Sequence, residues 1–172
     1  MSTTGSSQPP IPFSATLHVR DHCLCFQAQR AARGLARLFD RAFQPFGIGN
    51  QQFSLMMALN RPEPPSVGQL GRELGMDRTT VTAAVKVLSA RGLIGSLPQA
   101  GDRRVQRLQL TPEGMALLAA ALPVWEATLS RLQAAGGGEI AAASAILQGL
   151  SEACREAASP AAAAPARPQD RP

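Results

Sequence analysis

The sequence predicts a mainly α fold with a small β-hairpin, and three observations carry that prediction. Apolar residues recur at steps of three and four along most of the 172-residue chain, the period of helices with one buried face. Two such stretches, SVGQLGREL and RTTVTAAVKVL, are separated only by Gly75, Met76 and Asp77. Directly afterwards the pattern changes to period two, from Ile94 to Pro98 and from Arg104 to Leu110, which marks two short strands about a turn.

Ser66 and Gln69 stand three apart at the start of the first stretch, the spacing at which each side chain reaches the other's orphan N–H. Val67, Leu70 and Leu74 then share one face, Gly75 permits a sharp exit, and Asp77 is placed to cap a second helix from Arg78. In that helix Val81, Val85 and Leu88 turn inward. At roughly 100° per residue, Thr79, Thr82, Ala83 and Lys86 point the other way. This is a helix-turn-helix whose second helix has the polar, cationic outer face suited to a DNA major groove. In the hairpin, Leu108 and Leu110 lie on one face and Arg107 and Gln109 on the other. Asp102, two residues before Arg104, is spaced to hold that guanidinium extended at the tip, where an arginine reaches a neighbouring minor groove. A basic hairpin beside a recognition helix is a wing. Positive charge is concentrated here: residues 77 to 110 hold six cations against two acids, most of the net +5 of the chain.

These residues are similar to the winged helix of the MarR family of bacterial transcription regulators. That family carries D-x-R in its wing and closes it with L-x-L-T-x-x-G, here Asp102, Arg104, Leu108, Leu110, Thr111 and Gly114. The resemblance covers roughly residues 22 to 155. It implies a winged helix-turn-helix plus a terminal-helix dimerisation domain. It further implies a homodimer that reads a palindromic operator in double-stranded DNA, with a wing on each flank. By the same resemblance Arg78, Thr79, Thr80, Thr82 and Lys86 face the major groove, and Arg104, braced by Asp102, enters the minor groove. Arg103 and Arg107 fall on the DNA backbone. Members of the family usually hold aromatic or phenolic ligands between the winged helix and the dimerisation helices. Phe53, Met56, Met57 and Trp125 are the residues here that would line such a pocket, ordinary core being the alternative.

Taken in order, residues 1–14 are rich in Ser, Pro, Gly and Thr and are expected to be a disordered arm. One long helix is expected from about His18 to Phe46, with Leu24, Ala28, Ala31, Leu35, Leu38 and Ala42 on one stripe and Cys25, Ala32, Phe39 and Phe46 on another. Two stripes call for two partners, the chain's own core and a second subunit. Asn50 is placed to cap a short helix that ends before Pro62, Pro64 and Pro65. After the wing, Thr111 caps and Pro112 opens a helix with Leu118, Leu122, Trp125, Leu129 and Leu132 inward, kinked at Pro123. Gly136–Gly138 form a turn before a last helix with Ile140, Ala143, Leu147, Leu150 and Cys154 on one face. The domains expected are thus a winged helix at 49–111, a helical dimerisation domain at 15–48 and 112–158, and a disordered tail at 159–172.

The cysteines leave three readings open. Leu24-Cys25-Phe26 matches the L-C-F context of the reactive cysteine in the hydroperoxide-sensing branch of the family, with Cys23 nearby. That branch supports its thiolate with tyrosines, and this chain has none; Phe39 and Asn50 stand at the corresponding positions. A buried structural thiol is the second reading. The third is a metal site, since an unbroken helix would align His18, His22 and Cys25 at steps of four and three.

No resident cofactor is implied. The chain has no Gly-rich phosphate loop, H-E-x-x-H or G-x-S-x-G run, so its pattern is not that of an enzyme. No uninterrupted apolar run of spanning length and no leader are evident, and three cysteines do not make a secreted disulfide framework. The expected compartment is the cytoplasm, with no membrane partner.

Overall fold

The computed structural model describes residues 10–99, 102–135 and 139–159, with strand backbone alone at 98–99 and 102–105. The expected arm before residue 10, the Gly136–Gly138 turn and the tail from residue 160 lie outside the described residues. The helices are α1 (Phe13–His22), α2 (Leu24–Phe43), a 3₁₀ turn (Gln44–Phe46), α3 (Asn50–Leu59), α4 (Val67–Leu74), α5 (Arg78–Ala90), α6 (Pro112–Ala134) and α7 (Ile140–Ala157). Strands β1 (Ile94–Gln99) and β2 (Asp102–Leu110) pair antiparallel between α5 and α6. The chain divides into two compact units, Met1–Thr128 and Leu129–Pro172.

The long helix expected from His18 is broken. Helix α1 starts at Phe13, inside the stretch expected to be an arm, and stops at His22. Cys23 is extended (φ −77°, ψ 106°), and its thiol accepts the Phe26 N–H at 3.5 Å. A side chain that satisfies an orphan N–H of the next turn starts a new helix there. The two apolar stripes begin at Leu24 and Cys25, beyond the break, so their periodicity carries no information on the stretch from His18 to Cys23. Helix α3 also begins differently from expectation: Gly49, not Asn50, is its N-cap residue. Asp40 of α2 supplies the missing acceptor, taking the Asn50 N–H at 2.7 Å, while Gln52 Oε1 accepts from Gly49 N at 3.0 Å.

The helix-turn-helix forms as its local chemistry dictates. Ser66 N donates to Gln69 Oε1 at 2.8 Å and Gln69 N to Ser66 Oγ at 3.3 Å, a complete capping box. Gly75 takes the left-handed conformation (φ +64°) that ends α4, and Asp77 caps α5. The core of this unit is centred on Phe43, Leu55, Met56, Leu70, Val81 and Leu88, each without solvent exposure. Phe43 stacks on Phe53 with ring centroids 4.4 Å apart. Burial of each such side chain contributes about 1.5–3 kcal/mol before chain entropy is counted.

The wing is tied to this core at its root. Leu108 is buried, its N–H bonds Pro65 O at 2.9 Å, and Ser66 and Arg107 form an antiparallel bridge. Ile94 pairs with Leu110 and Leu97 with Arg107, with a register shift between Pro98 and Gln99. At the other end, Thr111 Oγ1 accepts from Gly114 N at 3.0 Å and donates to Gly92 O at 2.6 Å, capping α6 as expected.

Helix α6 runs through Pro123 without ending there and buries Gly114, Leu118, Ala121 and Thr128. Its 23 residues reach a mean hydropathy of 1.2 over their most apolar 18, so by length and composition it could cross a bilayer. This corrects the expectation drawn from uninterrupted runs: alanines raise the average although Pro123 and Glu126 break the run. In the second unit, α7 buries none of its residues, and Ile146 and Leu147 are 64% and 51% exposed.

A Cβ on Gly114 would stand 2.0 Å from Leu93 O. Leu93 O is a backbone atom and the Cβ position is fixed by the backbone of residue 114, so the clash is not relieved by a rotamer change. Gly114→Ala is expected to destabilise the protein by about 1–3 kcal/mol or more, seen as a lower denaturant midpoint in urea unfolding.

Candidate nucleic-acid interface

Helix α5 presents one continuous solvent face. Arg78, Thr79, Thr82, Ala83 and Lys86 are all exposed, opposite the buried Val81 and Leu88. Among the described residues, neither Arg78 nor Lys86 joins an ion pair. The threonines differ in what they present. Thr80 is half-buried; its hydroxyl donates to Asp77 Oδ2 at 2.6 Å and its N–H to Asp77 Oδ1 at 2.9 Å. Thr82 Oγ1 donates back to Arg78 O at 2.7 Å, leaving its methyl and oxygen lone pairs outward. Thr79 faces solvent at the first turn. Thr80 therefore belongs to the cap, and Arg78, Thr79, Thr82 and Lys86 remain on the exposed face.

The Thr80 hydroxyl, followed by the Thr80 amide, holds the Asp77 carboxyl below its ordinary range. The helix N-terminus is thereby anchored through an ionised group that the macrodipole also favours.

Arg107, expected on the DNA backbone, also has partners within the chain: Nη1 donates to Pro64 O at 3.2 Å and to Gln69 Oε1 at 3.0 Å. The guanidinium thus joins the capping box of α4 and braces the wing root. The side chains of Asp102, Arg103 and Arg104, and with them the predicted bracing pair, lie outside the described residues, although all three lie in β2. Arg91 is a residue the sequence reading did not single out. It leaves the end of α5 to meet the carbonyls of Phe46 and Gly47; sequence holds no local signal for a partner so far away.

Comparison with known proteins agrees with this geometry. The family model described as MarR family matches residues 46–105. The transcriptional regulator PecS of Dickeya dadantii is 31% identical over 85 residues, 48% of this chain and 51% of PecS. The transcriptional repressor NicR of Pseudomonas putida is 38% identical over 72 residues, 42% of this chain and 46% of NicR. The chain spans about half the length of each of these two relatives. Among solved structures, the M. tuberculosis transcriptional regulator MosR in complex with DNA is similar over 78% of this chain and 99% of that chain, at 32% identity and a TM-score of 0.67. The chain belongs to the MarR family. Apo MarR from E. coli, at 19% identity and a TM-score of 0.58 over 83% of this chain and 98% of that one, shows the same fold.

A groove of about 510 Å³ opens beside α3, lined by Phe53, Met57, Glu73, Leu74, Leu122 and Trp125. Three of the four predicted pocket residues thus come together. Met56 does not; it is fully buried, because α3 is packed on more than one side and Met56 points into the core.

The N-terminal candidates separate. The His18 and His22 rings stack at 4.5 Å, and His22 Nδ1 lies 2.9 Å from His18 O. Cys25 belongs to the next helix, beyond the break at Cys23, so the single ligand face expected from an unbroken helix does not form. Among the described residues, no three His, Cys, Asp or Glu side chains gather to hold a metal. Cys25 is exposed and accepts from Gln29 Nε2 at 3.2 Å, so it is not the buried thiol of the second reading.

Because the folded-state value of Asp77 is depressed, its cap contributes stability above the ordinary carboxylate range, near about pH 4. That contribution fades as pH falls through the depressed value. Amide exchange at Thr80 is expected to quicken relative to the rest of α5 as pH drops below about 4. Asp77→Asn, which keeps an acceptor but does not ionise, is expected to remove that relative pH dependence.

Proposed function

We propose that this regulator acts in the cytoplasm as a homodimer on an inverted-repeat operator in double-stranded DNA, repressing until a small aromatic ligand releases it. The observation that carries the reading is the exposed face of α5, with Arg78, Thr79, Thr82 and Lys86 outward and its N-terminus capped by Asp77, beside a rooted hairpin. Polar and cationic groups on a rigid helix of this size suit a major groove: arginine or lysine to phosphate or guanine, threonine methyls to thymine. The DNA complex of MosR supports the same use of the fold.

Dimerisation is supported by apolar surface that one chain leaves uncovered. Phe13, Leu24 and Ile146 are 72%, 67% and 64% exposed, and they lie on α1, α2 and α7. A second copy meeting the same surfaces with twofold symmetry sets two recognition helices about one DNA turn apart. Arg104 then enters the minor groove beyond each half-site, with Arg103 on phosphate, while Arg107 supports the hairpin. A groove of about 510 Å³ has the size and apolar lining of a small-molecule site. A ligand seated there releases DNA by favouring one spacing of the heads over the other. One observation favours a second signal: Cys25 stands exposed with an amide donor on its sulfur, open to attack on a peroxide.

Arg104→Ala is expected to weaken operator binding by about 1–3 kcal/mol per subunit in a mobility-shift titration. Unchanged affinity would reject the minor-groove role. Lys86→Ala is expected to lower affinity on every sequence and reduce the slope of log K against log salt by about one per subunit. A melting screen against aromatic acids, aromatic alcohols and organic hydroperoxides separates the signals. A shift lost in Trp125→Ala but kept in Cys25→Ser supports the groove, and the converse supports the thiol.

A further inference from the structure

We infer that Arg91 is a positioning residue for operator binding, fixing the angle of recognition helix α5 against the end of α2. Arg91 is the residue that closes α5. Its Nη1 donates to Gly47 O at 2.6 Å and its Nη2 to Phe46 O at 3.2 Å, across 44 and 45 positions of sequence. Those carbonyls lie at the end of the 3₁₀ turn that continues α2. A helix leaves its last C=O groups without internal donors there and carries partial negative charge. A planar, permanently charged guanidinium meets two neighbouring carbonyls as a fork, which an ammonium does not reproduce.

The tie matters because α5 and α2 are otherwise held by different neighbours. Helix α5 packs chiefly on α4 and β1, and α2 on α3. Along the rest of its length α5 borders an open groove of about 620 Å³, lined by Asp40, Gln51, Gln52, Thr79, Ala83 and Val87. Arg91 therefore ties the C-terminal end of α5 to the end of α2, while toward its other end α5 packs on α4 and borders the groove. Thr79, at that other end, sits on the reading face, so a small change of angle at the pin becomes a displacement of the residues that meet bases. In a two-headed protein joined through its terminal helices, this angle sets the distance between the reading faces. The inference rests on that proposed two-headed reading.

The test uses the full chain. The wild type first selects duplexes from a random-sequence pool. Wild type, Arg91→Ala and Arg91→Lys are then titrated on three probes: the selected duplex, the same duplex with one base pair inserted or removed between half-sites, and a duplex retaining one half-site. Arg91→Ala is expected to keep the single-half-site affinity and lose about tenfold on the selected duplex, the scale of one lost hydrogen bond to a charged group. It is also expected to discriminate less against altered spacing, with Arg91→Lys in between. Should the alanine variant melt early, Arg91→Lys, which keeps the charge and loses the fork, decides by the same spacing comparison. Wild-type spacing preference in the variants overturns the inference. So does an equal loss on single and paired sites, which would make Arg91 a phosphate contact or a general stabiliser. A wild type that enriches only isolated half-sites, or no duplex at all, overturns the two-headed reading itself and is seen before any variant is measured.

Discussion

Leu93 joins three elements within a few ångströms. Its N–H bonds Leu88 O at 3.0 Å at the end of α5, its carbonyl accepts the Thr111 N–H at 3.1 Å, and the backbone of Gly114 lies against that same carbonyl. Recognition helix, wing exit and the start of α6 are thereby fixed to one buried residue. The chain has no freedom to enlarge the joint, since a single added carbon at residue 114 meets backbone and not a movable side chain. The T-x-x-G close of the wing follows physically: the threonine caps α6 and bonds Gly92 O, and the glycine lets the helix approach Leu93. Recognition-helix candidate α5, hairpin and α6 are thereby held in one constant relation.

Charge in this protein divides between two tasks. Arg61 leans on Glu73 and Ala58 O, Arg91 on Phe46 and Gly47, and Arg107 on Pro64 and Gln69. Each places a guanidinium where the chain turns and leaves carbonyls short of donors, a use for which arginine's several fixed N–H groups are suited. Arg78 and Lys86 are left on the surface. The basicity of the sequence is thus a poor measure of its charge available to a partner. Three of the cations between residues 61 and 107 hold the scaffold together.

Legibility in the sequence followed the range of the interaction. The capping box of Ser66 and Gln69, the Gly75 turn, the Asp77 cap and the Thr111 cap all act within a few residues, and all formed as read. Contacts across 40 or more residues left no pattern to read, so neither the hold of Arg107 on Pro64 nor that of Arg91 on Phe46 and Gly47 was legible. Periodicity misled in two places. Steps of seven picked out Phe39 and Phe46 but skipped Phe43, four residues past Phe39 on the same face and fully buried. The other is the break at Cys23: the stripes begin at Leu24, beyond it, and the expected helix reaching back to His18 has no stripe to carry it. Of the pocket residues, Phe53, Met57 and Trp125 were legible as a group; Met56 was not separable from them, since a helix buried on more than one side has no single inward stripe.

The root of the hairpin is fastened to the core through Leu108, Arg107 and the bridge to Ser66. So few fastenings give single substitutions at residues 66, 107 and 108 a leverage over the seating of the whole hairpin that a change at the exposed Gln109 lacks.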